Sequence, residues 1–171
     1  MKIRSLLVFL LAAVLIPVVT EGTAAAETGR QTFVLSELPG DEHIRVTAGG
    51  PIRGAGVDEV ISEDEDEATG QIIARDVFRF GPTDAVFVTI YPTVTQEFTI
   101  DPRTCIGRLA GTLSWEITGG EGRYAAATGS GTGTFRATAV LGRNPDGTCS
   151  ESQEDEVAHI FIARLSGSST V

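Results

Sequence analysis

Lysine is almost missing from this chain: Lys2 is the only one, so positive charge elsewhere rests on arginine. Thirteen Lys plus Arg stand against 23 Asp plus Glu, a formal net charge of −10. That charge repels phosphate backbones and anionic head groups, which argues against nucleic acid or a membrane surface as partner. Histidine occurs twice, at His43 and His159, far apart in sequence, and two cysteines form no cluster with them, so no zinc site is expected. There is no Gly-x-Ser-x-Gly elbow, no Cys-His-Asn constellation and no Cys-x-x-Cys redox pair. Neither a metal nor a cofactor is implied.

Long apolar runs are absent apart from one, at the N-terminus. Lys2 and Arg4 precede Leu6 to Val19, after which Thr20 and Glu21 lead to Ala24-Ala25-Ala26. A membrane-spanning helix needs roughly 20 apolar residues, and this run supplies 14. Small residues at Ala24 and Ala26 suit signal peptidase, so residues 1–26 read as a signal peptide cleaved after Ala26. No Cys follows the run to carry a lipid anchor. The expected product is a secreted single domain of 145 residues, 27–171, with 11 Arg against 22 Asp plus Glu. In such an oxidising setting Cys105 and Cys149, both beside turn sequences, are expected to form a structural disulfide.

Helical periodicity is lacking as well. Short runs of β-branched and aromatic residues recur between Gly, Pro and Asp turn signals. Strands are expected over 31–37, 43–48, 71–80, 84–91, 95–100, 106–118, 131–141 and 156–165. Leu109, Gly111, Leu113, Trp115 and Ile117 share one face, and Phe135, Ala137, Ala139 and Leu141 repeat the pattern. One apolar and one wet face mark an antiparallel sheet. About eight such strands hide their edges most completely by closing into an all-β antiparallel barrel, a β-sandwich being the alternative. The acidic run Asp58 to Glu67 matches no calcium loop and reads as a solvated, self-repelling loop.

The segment Gly119-Gly120-Glu121-Gly122-Arg123-Tyr124-Ala125-Ala126-Ala127-Thr128-Gly129 is the most distinctive. It resembles the Gly-Gly-x-Gly-x-(Phe/Tyr)-x-x-Ala-x-Gly signature of dirigent proteins and the related allene oxide cyclase barrel-like family. The resemblance covers about thirty residues, roughly Gly111 to Leu141. It implies a calycin-type eight-stranded barrel with a cavity open at one end, in a family whose members often dimerise or trimerise. Physically Gly119, Gly120 and Gly122 suit a tight connection, Tyr124 would pack beneath it, and Ala127 and Gly129 would let a strand approach closely. The motifs that carry the catalytic acids of plant dirigent proteins are absent, so no active-site residue is carried over.

Asp76 is the one chemical anomaly, because it shares a face with Ile72, Ala74, Phe78 and Phe80. Lining a cavity, it would have a raised pKa and could act as acid, base or ligand anchor. The plainer account is a misassigned register, or a bulge at which Asp76 pairs with an Arg. His159, among apolar neighbours on the final strand, reads as a hydrogen-bonded packing residue. Asp76, Phe78, Trp115, Tyr124 and His159 are thus the candidates for a ligand cavity. A barrel binding a small apolar or aromatic molecule is the first expectation. The alternatives are a filled barrel acting through its surface and a cofactor-free cyclase or dirigent-like guide. A homo-oligomer, if formed, is expected to use the doubly apolar strand 156–165.

Overall fold

The computed structural model describes residues 26–150, 152 and 155–171. The segment read as a signal peptide therefore lies outside the described residues, save Ala26. Eight strands follow one another: β1 (Thr28–Glu37), β2 (Ile44–Gly49), β3 (Gly54–Asp66), β4 (Gln71–Arg79), β5 (Ala85–Asp101), β6 (Ile106–Glu121), β7 (Thr128–Leu141) and β8 (Glu156–Thr170). Each is antiparallel to the next, and β8 returns to pair with β1, closing the barrel. That closing ladder runs from Thr28 opposite Thr170 to Glu37 opposite Phe161. It removes the free edges that a sandwich would leave. A 3-10 turn, Gly122–Tyr124, lies between β6 and β7.

Alternation places the side chains as expected along β6, where Leu113, Trp115 and Ile117 are buried and Thr112, Ser114 and Glu116 are exposed. Two of the expected strands, 84–91 and 95–100, are one. Strand β5 runs through Pro92, and its register with β6 shifts near residues 94–99. Such irregularities bend a strand without ending it.

The acidic run is also a strand, not the solvated loop expected from its charge. Strand β3 extends through Asp66 and pairs with β4 down to Gln71. Pairing divides the carboxylates between two faces and brings arginines across from them: Arg75 meets Asp64 and Arg79 meets Glu59. The β3–β4 turn is held by the Asp66 carboxylate, which accepts the amides of Ala68 and Thr69. Repulsion along the sequence is thereby offset by attraction across the ladder. A register shift between Val60 and Ser62 moves Glu63 onto the same face as Ala74, its partner on β4.

The two ends of the barrel differ. At the end where β1 starts and β8 finishes, the 50–53 segment folds inward as a plug, with Ile52 fully buried. Gln31 clasps it: Ile52 N donates to Gln31 Oε1 (3.0 Å) and Gln31 Nε2 donates to Ile52 O (3.0 Å). Ser169 Oγ adds a bond to Gln31 Oε1 (2.9 Å). Tyr124 Oη accepts the amide of Arg53 and donates to its carbonyl, both at 3.2 Å. Gly122, at φ 60°, lets the 3-10 turn close against the Thr83 carbonyl where any Cβ would collide. Above the plug Phe33 packs edge-on against Phe78 (5.3 Å) and Trp115 (5.4 Å). Gly131 and Gly167 face each other across β7 and β8, and the Trp115 ring occupies the space a Cβ on Gly167 would need.

At the opposite end the β5–β6 hairpin is tied to the loop after β7 by the Cys105–Cys149 disulfide (Cα–Cα 5.3 Å). Ala139, Leu141 and Ile100 form a small separate core around it. Such a bond belongs to an oxidising compartment. Among the described residues no helix is long and apolar enough to cross a membrane.

Candidate functional site

The half of the barrel away from the plug is not filled. A cavity of about 180 Å³ lies there, with walls drawn from all eight strands. Its apolar surface comes from residues such as Leu35, Ile90, Leu113, Phe135, Phe161 and Leu165. Val60, 49% exposed, and the exposed Glu63 carry the lining out to solvent, so the cavity opens at this end. Three polar groups break the apolar wall, all carboxyls and all on two adjacent strands: Asp58 and Glu63 on β3, Asp76 on β4.

Asp58 and Asp76 are 4% and 6% exposed. Strand register sets Asp58 opposite Phe78 and Asp76 opposite Val60. The two carboxyls are therefore diagonal neighbours on one face, a relation that places such residues about 7–8 Å apart. The Oδ1 atom of each is buried without a hydrogen-bond partner. Among the described residues no arginine or histidine lines the cavity. Arg75 and Arg79 both engage carboxylates elsewhere, Arg75 with Asp64 and Arg79 with Glu59 and Glu121.

Burial penalises the ionised form of both groups. Asp58 is pushed up to about 8, by burial first, then by the charges of Asp76 and Glu59. Asp76 is pushed up to about 7, by burial and then by Glu63. Asp58 accordingly holds its proton at neutral pH, and Asp76 is poised between its two states. Such groups can donate a hydrogen bond, pass a proton, or ionise beside a cation. Among the described residues no group of three His, Cys, Asp or Glu is arranged to hold a metal ion.

Of the five residues expected at a cavity, Asp76 lines it, and the register places it inward with no Arg beside it. The ladder irregularity lies across from it on β3. Phe78 and Trp115 are buried in the packed layer next to Phe33. Tyr124 belongs to the plug at the far end. His159 sits at the open end, where Nε2 meets Glu37 Oε1 (3.0 Å) and Nδ1 meets Glu156. Those bonds, Glu37's first, raise its pKa above the usual histidine value. It joins β8 to the end of β1 outside the cavity lining.

Sequence reasoning missed Asp58 and Glu63. Both lie in the acidic run, and the irregularity between Val60 and Ser62 breaks the parity by which one face could have been followed. The one available signal was the short alternation Gly56, Asp58, Val60 opposite a strand already carrying Asp76.

No family model, no curated protein and no solved structure matches the chain. The shape and chemistry of the barrel are therefore what bear on its role.

Proposed function

We propose that this is an exported β-barrel protein that binds a small, mostly apolar molecule in its open-ended cavity. The observation that carries this reading is the cavity itself, about 180 Å³ with walls from every strand. An apolar cavity of about 150 Å³ suffices to take up benzene, so the ligand is of the size of one ring or a short branched chain. Export is supported by the basic-apolar-small pattern of residues 1–26 and by the disulfide. The resemblance to dirigent and allene oxide cyclase barrel-like proteins is compatible with this shape. Its glycines and Tyr124 sit around the plug and concern architecture.

Native mass spectrometry of the protein secreted by its own host tests the reading. The expected result is a mass beginning at Glu27 with extra mass that leaves on denaturation. Ala74→Trp, which narrows the cavity lining, should abolish that extra mass. A ligand-free spectrum together with no uptake of toluene or benzyl alcohol by the purified barrel would count decisively against it.

One observation favours a second reading. Asp76 is poised between its protonated and ionised forms near neutrality inside an apolar enclosure, as a cofactor-free cyclase or a guide of a reactive intermediate would require. On that reading Asp76→Ala erodes product selectivity while the fold persists.

A further inference from the structure

The cavity carries three carboxyls on one wall and, among the described residues, no counter-charge. Two of them are more than nine-tenths buried, and the Oδ1 of each has no hydrogen-bond partner. Buried polar atoms in folded proteins are rarely left without a partner. Something that supplies N–H or O–H donors, and tolerates an apolar enclosure, would complete them.

We propose that Asp58 and Asp76, with Glu63 at the mouth, form a recognition site for a primary ammonium group, and that the ligand is a small amine with an aromatic or branched-alkyl body. The proposal rests on the cavity reading above and names the chemistry of its occupant. A primary ammonium carries three donors and no acceptor, matching two orphaned Oδ1 atoms and one carboxylate nearer solvent. Residues in this diagonal relation lie about 7–8 Å apart on one face, so both carboxyls can reach a single bound group. Its charge replaces the cation that the wall lacks, and charge-assisted bonds of this kind are the strong ones.

Other ligand classes fit less well. An anion would face three carboxyls. A quaternary ammonium has no hydrogen to offer Oδ1 and relies on a cage of aromatic faces, whereas the lining holds two rings, Phe135 and Phe161. A sugar or another polyol would present hydroxyls to the apolar remainder. The acidic β3–β4 hairpin, with Glu65, Asp66 and Glu67 at its tip, surrounds the approach with negative potential and favours entry of cations.

Isothermal titration of the whole barrel with benzylamine, benzyl alcohol and benzoate separates the possibilities, because the three share one ring and differ in charge. At pH 8 benzylamine should bind at least about tenfold more tightly than benzyl alcohol, the margin a charge-assisted bond provides, and benzoate should not bind. Lowering the pH to 5 should weaken benzylamine and leave benzyl alcohol unchanged, since Asp58 and Asp76 must give up protons to receive an ammonium. Glu59 and Glu63 are the other charged groups acting on the pair. The Asp58→Asn, Asp76→Asn double variant keeps the shape of the wall. It should retain benzyl alcohol, lose the preference for the amine, and show an unchanged near-ultraviolet signal from Trp115.

Equal affinities for amine and alcohol would overturn the ammonium site and leave the apolar cavity standing. Unchanged benzylamine binding by the double variant would place the amine on the acidic surface and overturn it as well. Failure of all three probes would overturn the cavity reading, and this proposal with it.

Discussion

The plugged end and the open end of the same barrel solve the problem of buried polar groups in opposite ways. At the plug the Gln31 amide and the Tyr124 hydroxyl are satisfied by backbone groups of Ile52 and Arg53. At the open end Asp58 and Asp76 each keep an oxygen unpaired, beside empty space. Satisfied networks rigidify, whereas an unsatisfied group lowers stability and persists where something else benefits. The contrast sets a hydrogen-bonded fastening at one end against unpaired carboxyls beside a cavity at the other, where the disulfide is the tie.

The largest effect should come from attacking the fastening. Tyr124→Ala removes a buried ring and two hydrogen bonds, and should cost about 3–5 kcal/mol in denaturant unfolding. Phe161→Ala, half-buried beside an existing cavity, should cost clearly less. Equal losses would break the comparison. Replacing Cys105 and Cys149 together by Ser should cost about 2–4 kcal/mol, read as a lower midpoint with the proposed uptake of benzyl alcohol retained. A loss of binding there would mean that the tie also shapes the open end.

Next in size is the response to pH. The folded barrel holds protons on Asp58 and Asp76 up to about 8 and about 7, whereas the unfolded chain releases them near the ordinary aspartate value of 3.8. Between those limits the folded state binds more protons, so stability falls as pH rises from about 4 to 8 and levels off above. His159 acts in the same direction: its raised pKa contributes stability at low pH that is lost as pH climbs through its folded value. Asp41, Asp101 and Asp146, all lowered by hydrogen bonds, act oppositely and lose their contribution as pH drops below the usual carboxylate range. Thermal melting of the ligand-free protein should therefore peak in the acidic range, about pH 4–5. Asp76→Asn should raise stability at pH 8 by about 1–3 kcal/mol, because the amide cannot ionise and so avoids burying a charge, and change little at pH 4, where the carboxyl is protonated. A flat profile would mean that the carboxyls are better solvated than their burial indicates.

The smallest effect is expected on the outer wall. Arg75→Ala removes an exposed ion pair with Asp64 and should change stability by less than about 1 kcal/mol. A larger loss would show that the acidic strand depends on that pairing to stay on the barrel.

Much of this architecture is legible locally. Alternation along β6 and β7 points to one buried face, the Gly and Pro turns separate the strands, and two cysteines beside turns suggest the bond they make. The acidic run misleads because charge density is read along the chain, whereas its partners Arg75 and Arg79 come from the next strand. The break between 91 and 95 misleads because Pro92 looks like an end, and a bend within a long strand has the same local signature.

An all-β antiparallel chain follows from period-two patterning and turn chemistry, which act between near neighbours and so are written in residue order; its closure into a barrel rests on the distant pairing of β1 with β8. What occupies the interior does not follow from it. Phe78 and Asp76 share one strand face, yet one is packed under Phe33 and the other lines a cavity. Their difference comes from which residues lie across the barrel and from one shifted register in β3. Closure brings together eight strands whose contacts are distant in sequence, and only that assembly sets Asp58 beside Asp76 and leaves both facing open space.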